Sequence, residues 1–331
     1  MKAAVVPKES TMKDTTGKKA SVGESSLLTH AIAPEDAAVM TAMRAAVLPL
    51  KGKLQGMAAR EPFNGIMERV SPPESVAFHT DTVGGVSGLW CKPSNARSGD
   101  AILHLHGGWF NWGSAHAYRN LVGHIAARTG AEAFVPDYRL APEHPFPAAG
   151  NDVQACYRGL VERGIRRIAI CGDSAGGNLA LVLMSLATIS GGTIPVGAAV
   201  LSPVTDLALT GPSFETRSEA DPYFVRPQVE GLVRSYLGDT DPKNSLASPL
   251  YGNLVGLPPI SIHVGDDEVL LDDSRRYFER AVAAGVNARL DVWEGMPHGF
   301  AGSVGELAAA AKALDAVGEF LAQRLKATAG V

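Results

Sequence analysis

Gly172-Asp173-Ser174-Ala175-Gly176-Gly177-Asn178 lies between two apolar runs, residues 167–171 and residues 179–184. The first run is typical of a strand and the second of a helix. The stretch contains G-x-S-x-G, in which small residues on both sides of Ser174 allow a sharp turn from strand to helix. Such a turn exposes the serine hydroxyl at a helix N-terminus, where backbone amides favour a developing negative charge. The sequence therefore predicts that Ser174 is a nucleophile, although glycine and serine also occur in ordinary turns.

A second glycine motif, His106-Gly107-Gly108-Trp109, follows the short apolar run 101–105. Acyl transfer passes through a tetrahedral oxyanion, which backbone N–H groups stabilise by about 3 kcal/mol each. Consecutive glycines let the backbone approach that oxygen because no Cβ is in the way. We therefore predict that the N–H groups of Gly107, Gly108 and Ala175 form an oxyanion hole. If it stood alone, the motif would also fit a plain glycine loop.

The general base is found by elimination among nine histidines. Folds that present a serine on a strand-to-helix turn carry an acid and then a histidine later in the chain. Only His263 and His298 follow Ser174. His263 lies inside the strand-like run 259–264, which indicates a packed structural residue. His298 lies in a turn after the strand-like run 288–293, where an imidazole can reach a serine, and it is the predicted base.

Four ordered motifs resemble one family, the hormone-sensitive-lipase-like esterases, which are bacterial family IV carboxylesterases of the alpha/beta-hydrolase fold. The matching stretches are His106-Gly107-Gly108, Asp137-Tyr138-Arg139-Leu140-Ala141-Pro142-Glu143, residues 172–178 and His298-Gly299-Phe300. The resemblance covers roughly residues 75 to 320. It implies a serine carboxylesterase that needs no metal or organic cofactor, and a possible homodimer, often built on the exposed eighth strand.

The chain departs from the family pattern at two positions. Trp109 stands where the family usually has a third glycine, which narrows the mouth of the pocket. The family's acid usually leads a D-P-x-x-D pattern after the seventh strand, and here the same register reads Glu268-Val269-Leu270-Leu271-Asp272-Asp273. This register favours Glu268 as the acid. Asp267, one residue earlier, and Asp206, which follows the sixth predicted strand, are the alternatives.

Strand-like and helix-like runs alternate from residue 101 onward. This alternation predicts an α/β fold with a mostly parallel eight-stranded sheet, helices on both faces and a helical cap. Strands are expected near 75–80, 86–92, 101–106, 132–136, 167–171, 197–202, 259–264 and 288–293. Helices are expected near 115–128, 147–162, 176–188, 228–237, 272–284 and 305–326. We divide the chain into a flexible N-terminus (1–30), N-terminal cap helices (31–70) and a catalytic domain (71–331) with a cap insertion near 203–250.

Composition excludes several classes of function. A chain of 331 residues with a net charge of −4 and no long basic run does not favour nucleic acid as a partner. No apolar stretch has the length of a membrane span and no secretion signal is evident, so the cytoplasm is the expected compartment. The three cysteines are scattered at positions 91, 156 and 171, which favours buried thiols over disulfides or a metal site.

Substrate-binding residues are sought among the aromatic side chains of the cap and the glycine loop. Trp109, Phe214 and Tyr223 are the predicted pocket residues, within a wider group that includes Trp112 and Phe224. Two caps and a bulky Trp109 predict a closed pocket for short acyl chains. A lactone hydrolase of the same mechanism is the nearest alternative. A non-catalytic small-molecule receptor is another, but the intact His298 argues against it.

We give a structural interpretation to several polar residues near the motifs, namely Asp173, Asn178 and the charged residues of 137–143. Asp173 and Asn178 are expected to hold the elbow by hydrogen bonds rather than to react. Asp137, Arg139 and Glu143 follow a buried strand, where charges must be paired. We expect them to form one cluster that fixes the loop behind the oxyanion hole.

Overall fold

Nine strands form a single sheet in the described part of the chain, in the order β1-β9-β8-β7-β6-β4-β5-β3-β2. The structure, a computed structural model, describes residues 25–327. The strands are β1 (Ser26–His30), β2 (Val76–Val83), β3 (Val86–Pro93), β4 (Asp100–Leu105), β5 (Glu132–Pro136), β6 (Arg167–Asp173), β7 (Ala198–Leu201), β8 (Ile260–Gly265) and β9 (Ala288–Trp293). Neighbouring strands are parallel except for the pairs β2–β3 and β3–β5.

Helices cover both faces of the sheet. On one face, α3 (Ala115–Thr129) and α9 (Ala308–Lys326) pack against the strands in one apolar cluster. On the other, α4 (Ala148–Glu162), α5 (Ala175–Ser190) and α8 (Leu271–Ala283) belong to a second, larger cluster. The central strands are buried along their whole length because both faces are covered, as parallel sheets require. The predicted α/β architecture and each of its eight strands are confirmed.

The cap is built from two separate segments of the chain. The first contains α1 (Pro34–Val47), the short 3₁₀ helices Leu48–Leu50 and Met57–Ala59, and α2 (Arg60–Met67). The second contains α6 (Ser213–Thr216), α7 (Arg226–Leu237) and the 3₁₀ helix Pro249–Tyr251. The Gly52 N–H donates to the Tyr223 carbonyl at 2.9 Å, and Gln228 Nε2 donates to the Leu54 carbonyl at 2.7 Å. These bonds join the two segments into one layer.

The first strand was not predicted, because residues 1–30 were expected to be flexible. Residues 26–30 instead pair in parallel with β9 and add a ninth strand, whereas residues 1–24 lie outside the described residues. The His30 ring stacks on Trp293 with centroids 3.9 Å apart, and its Nε2 lies 2.6 Å from Asp291 Oδ1. The outer edge of β9 is thus occupied. The strand predicted as an exposed eighth strand is not exposed along this edge.

The three cysteines lie in the interior of the protein, as the sequence predicts. Cys91, Cys156 and Cys171 are buried free thiols, and burial raises the pKa of Cys91 and that of Cys156 to about 12. Within residues 25–327, no helix combines the length and the apolar character that crossing a bilayer demands.

Candidate active site

Ser174 occupies a tight turn between β6 and α5. Its backbone has φ 55° and ψ −120°, in the left-handed region that a residue with a side chain rarely adopts. A Cβ on Gly176 would lie 1.9 Å from the Leu105 carbonyl oxygen, so only glycine permits this approach of α5 to β4. The Ser174 N–H donates to the Leu201 carbonyl at 2.8 Å. The surrounding sheet therefore holds the strained turn in place.

The glycine loop that follows β4 lies directly against this turn. The Gly107 N–H donates to Asp173 Oδ1 at 3.2 Å, and a Cβ on Gly107 would lie 2.4 Å from Asp173 Oδ2. This corrects the prediction that Gly107 supplies an oxyanion donor, because Asp173 already takes its N–H. Among residues 25–327, the N–H groups of Gly108 and Trp109 donate to no acceptor. Both residues have positive φ, 113° and 52° respectively.

Asp173 and Asn178 hold the elbow, as the sequence predicts. Asp173 Oδ2 accepts a hydrogen bond from the Tyr118 hydroxyl at 2.9 Å, in addition to the bond from Gly107. Asn178 Nδ2 donates to the carbonyls of Val204 and Ala247 at 2.9 and 2.7 Å. The first residue ties the elbow to the glycine loop and the second ties it to the cap insertion.

A buried carboxylate and an imidazole meet on the loops that follow β8 and β9. His298 Nδ1 lies 2.7 Å from Glu268 Oε2. Glu268 is fully buried, and its other oxygen, Oε1, accepts hydrogen bonds from Ser202 Oγ at 2.7 Å and from the Gly265 N–H at 2.8 Å. A buried charge needs such partners, since desolvation otherwise costs several kcal/mol. Ser202 is not among the predicted site residues, and its only signal in the sequence is its position directly after β7.

The electrostatics of His298 favour a protonated ring more than in a free histidine. Burial lowers its pKa, but the charge and hydrogen bond of Glu268, together with the charges of Asp221 and Asp173, outweigh burial. The pKa of His298 therefore lies above its ordinary value. A base with this property accepts a proton readily and is stabilised once it is charged.

The two rival carboxylates point elsewhere. Asp267 Oδ2 accepts a hydrogen bond from Arg44 of α1 at 2.6 Å. Asp206 is fully buried and is enclosed by its own donors: the N–H groups of Ala208 and Thr210, the hydroxyls of Thr210 and Tyr251, and Arg276. Of the three candidates, only Glu268 contacts the imidazole.

His263 is a packed residue of β8, as predicted. It is fully buried, and Trp293 Nε1 donates to its Nδ1 at 3.4 Å. Burial lowers the pKa of His263 to about 4, so its ring is neutral at physiological pH. It therefore has no part in the cluster around Ser174.

An aromatic pair lies beside His298. The Phe224 ring meets the imidazole edge-on with centroids 5.2 Å apart, and the Trp109 ring meets Phe224 in the same way at 5.5 Å. Trp109 is thus brought to the site, as predicted. The contacts of the other two predicted pocket residues are with neighbouring cap residues: the Arg226 guanidinium lies 5.3 Å over Phe214, and the Tyr223 hydroxyl lies 3.4 Å from Met43 Sδ.

The charged residues of 137–143 are paired, but not with one another as we predicted. Asp137 Oδ1 accepts the Ala115 N–H at 2.6 Å, Arg139 pairs with Asp152 at 2.7 Å, and Glu143 pairs with Arg60 at 2.6 Å. Each of these side chains is therefore bonded to a different element: two form ion pairs, and Asp137 accepts from the backbone of α3. The oxyanion loop itself is braced by the hydroxyl of Tyr138, which donates to the His106 carbonyl at 2.7 Å.

In the described chain, no group of three or more His, Cys, Asp or Glu side chains is arranged to hold a metal ion. A serine at a strained turn, free N–H groups beside it and an imidazole paired with a buried carboxylate are the components of covalent acyl transfer.

Comparison with known proteins agrees with this geometry. Residues 102–302 match a family model described as the alpha/beta hydrolase fold. An acetyl-hydrolase of Streptomyces hygroscopicus is 38% identical over 229 residues, which cover 69% of this chain and 75% of that protein. The family match alone spans more than half of the chain.

Solved structures narrow the relationship. An esterase from the bacterial hormone-sensitive lipase family is 35% identical with a TM-score of 0.82, covering 88% of this chain and 99% of its own. The esterase EstE5 soaked with p-nitrophenyl butyrate is 37% identical with a TM-score of 0.82, at 89% and 100% coverage. A structure titled EstE5-PMSF is 39% identical with a TM-score of 0.76, at 81% and 91% coverage. The chain therefore belongs to the alpha/beta-hydrolase fold and, within it, to the bacterial hormone-sensitive-lipase family of esterases.

Proposed function

We propose that this protein is a serine carboxylesterase that hydrolyses short-chain carboxylic esters through an acyl-enzyme on Ser174. The observation that carries the proposal is the 2.7 Å contact between His298 Nδ1 and the buried Glu268 carboxylate. The same carboxylate accepts from Ser202, and Leu201 and Val204, which flank Ser202 in the chain, are bonded to the backbone of the strained Ser174 elbow. The related EstE5 was soaked with p-nitrophenyl butyrate, a short-chain ester, and was also studied with PMSF. Both findings support an ester substrate and a reactive serine.

In the first half of the reaction, His298 Nε2 takes the proton of the Ser174 hydroxyl while Oγ forms a bond to the ester carbonyl carbon. The carbonyl oxygen becomes an oxyanion, which we assign to the N–H groups of Gly108, Trp109 and Ala175. When the tetrahedral intermediate collapses, the bond to the alcohol oxygen breaks. His298 then gives its proton to the leaving alcohol, and the acyl group remains on Ser174.

In the second half, a water molecule takes the place of the alcohol. His298 accepts a proton from the water as its oxygen attacks the acyl carbon, and the same N–H groups hold the new oxyanion. Collapse breaks the bond to Ser174 Oγ, which recovers its proton from His298, and the carboxylic acid leaves. Glu268 accepts the His298 Nδ1–H throughout, which keeps Nε2 facing the serine and stabilises the imidazolium.

The intact pair of His298 and Glu268 favours an enzyme over a receptor of the same fold. Burying a carboxylate beside an imidazole costs free energy, and a binding protein has no use for that arrangement. The site residues of this chain supply a nucleophile, a base, an acid and oxyanion donors, so catalysis needs no further group.

Replacing Ser174 with alanine should abolish ester turnover and leave the fold intact, because the nucleophile is lost while a smaller side chain fits the turn. Hydrolysis of p-nitrophenyl butyrate measures the first effect and circular dichroism the second. An organophosphate should label Ser174 alone in the unmodified protein, as read by peptide mass spectrometry. Appreciable turnover by folded Ser174→Ala would rule out an acyl-enzyme on this residue.

Converting the acid to its amide should cripple the enzyme at one position only. Glu268→Gln should lower turnover about a thousandfold, since an amide no longer stabilises the imidazolium. Asp267→Asn and Asp206→Asn are matched controls, and each should cost less than about tenfold because neither carboxylate touches His298. A severe loss in Asp267→Asn together with a mild one in Glu268→Gln would shift the acid to Asp267.

The pH dependence should report the raised pKa of His298. The base must be neutral to accept the Ser174 proton, so kcat/KM should fall as the pH drops through that pKa, with a midpoint above the usual histidine value of about 6.5. In Glu268→Gln the residual activity should persist to lower pH, because the carboxylate that raises the pKa is gone. An unchanged midpoint in that variant would show that Glu268 does not raise the pKa of the base.

Acyl chain length should be limited by the closed site. Ser174 is only 3% exposed, and Trp109 and Phe224 stand beside the imidazole. Across a p-nitrophenyl ester series, kcat/KM should be highest for acetyl to butyryl groups and should show no jump when a long-chain substrate forms an emulsion. A lactone panel run beside it tests the alternative substrate class. Faster turnover of emulsified triglycerides than of soluble short esters would contradict the closed pocket.

A further inference from the structure

A second buried carboxylate, Asp221, lies in the cap insertion between α6 and α7 and makes three hydrogen bonds to backbone. Its Oδ1 accepts the N–H groups of Tyr223 and Phe224 at 2.8 and 3.0 Å. Its Oδ2 accepts the N–H of Val269 at 2.9 Å. The side chain is fully buried, so these bonds are shielded from water. One carboxylate thus joins the cap to the loop after β8.

The residues to which Asp221 is bonded lead to two different parts of the candidate site. Val269 directly follows Glu268, whose carboxylate contacts His298. Phe224 carries the ring that lies edge-on to the His298 imidazole. A shift of Asp221 would therefore be transmitted both to the acid and to the aromatic wall beside the base.

A second tie runs beside the first, from the N-terminal part of the cap. The guanidinium of Arg44, in α1, donates to the carbonyl of Ala220, to Asp267 Oδ2 at 2.6 Å and to the carbonyl of Gly295 at 3.4 Å. Ala220 precedes Asp221, and Asp267 precedes Glu268. Gly295 lies on the loop that leads to His298. One side chain of α1 therefore fastens the three loops that surround the acid and the base.

Charge couples Asp221 to the base as well as to the loops. The carboxylates that face His298 are Glu268, Asp221 and Asp173, and all three raise its pKa. Burial raises the pKa of Asp221, while its three N–H donors and the charge of His298 favour the ionised form. Arg44 and Asp267 form an ion pair at the outer side of the same loop.

We propose that Asp221 and Arg44 are positioning residues that fasten the Glu268 loop to the cap and so hold the acid and the base in register. The inference rests on the proposed function, because it gives the two residues their effect through Glu268 and His298. Neither side chain needs to touch the substrate. The cap then has two roles: it closes the pocket and it sets the geometry of the acid.

Asparagine at position 221 is the sharpest test of this idea. It has nearly the shape of aspartate, but only one of its two terminal atoms can accept a hydrogen bond. The amide NH₂ must face either Val269 N–H or the pair of N–H groups on Tyr223 and Phe224. Two N–H donors then face each other, so the hydrogen bonds on that side of residue 221 are lost, while the volume of the side chain is unchanged.

Asp221→Asn should reduce kcat about 10- to 100-fold with little change in KM, as expected when a catalytic group is misplaced by a fraction of an ångström. The acid limb of kcat/KM should move to lower pH, because a negative charge near His298 is removed and its pKa falls. Hydrogen exchange of peptides covering residues 266–270 should become faster, while the peptides of β6 and β8 keep their protection.

Two further variants complete the experiment. Asp206→Asn changes an equally buried carboxylate that caps a neighbouring loop but touches neither Val269 nor Phe224, so its pH limb and its exchange at 266–270 should match the unmodified enzyme. Arg44→Met breaks the second tie at a partly exposed site. It should speed exchange at 266–270 and lower kcat by a smaller factor. If Asp221→Asn does not fold, Arg44→Met decides the question.

The outcomes separate this inference from the proposed function. Loss of turnover in Glu268→Gln, together with an unchanged kcat, pH limb and exchange in both Asp221→Asn and Arg44→Met, would overturn the positioning role alone. Full activity of Glu268→Gln would overturn the proposed acid and the inference with it. If the acid limb of the kcat/KM profile moves equally in Asp206→Asn and Asp221→Asn, Asp221 has a general structural role and no specific positioning role.

Discussion

Glu268 presents a carboxylate with no access to water, and such a group is tolerated only when both of its oxygens are satisfied. One oxygen accepts from Ser202 and Gly265, and the other faces His298. These three partners stand at the carboxyl ends of β7, β8 and β9. Their convergence requires three adjacent parallel strands in register, which is what the helices on both faces of the sheet maintain.

At Ser174, the proposed nucleophile, steric constraint is as important as charge is at Glu268, the proposed acid. The elbow at Ser174 is strained, and it persists because its backbone is bonded to the end of β7 and because α5 lies almost in contact with β4 at Gly176. The Asp173 carboxylate then aligns the glycine loop with the elbow. Among the described residues, strain, glycine and carboxylate thus leave the amides of Gly108 and Trp109 without an acceptor, as their proposed role in the oxyanion hole requires.

The parts of this design that depend on local sequence were predictable. The elbow, the eight strands β2 to β9 and His298 follow from short apolar runs, glycine spacing and chain order. The hydrogen bond that occupies the Gly107 amide was not predictable, because its acceptor is a carboxylate 66 positions later in the chain. The same reason hid β1, whose partner strand is more than 250 positions away, and Asp221, which acts on a loop 48 positions downstream. Pairing with distant backbone leaves no periodic signal in the sequence.

The strand at the edge of the sheet also has a practical meaning for producing the protein. Beyond His30, the chain passes Ile32, whose side chain packs against Gly295 on the His298 loop, and then enters α1 with Arg44. A shortened chain that starts after residue 30 would bare the edge of β9, a template for intermolecular pairing. It would also remove the paired strand that leads into α1. Fusion partners and protease sites therefore belong ahead of Ser25, and loss of solubility and loss of activity on trimming share one cause.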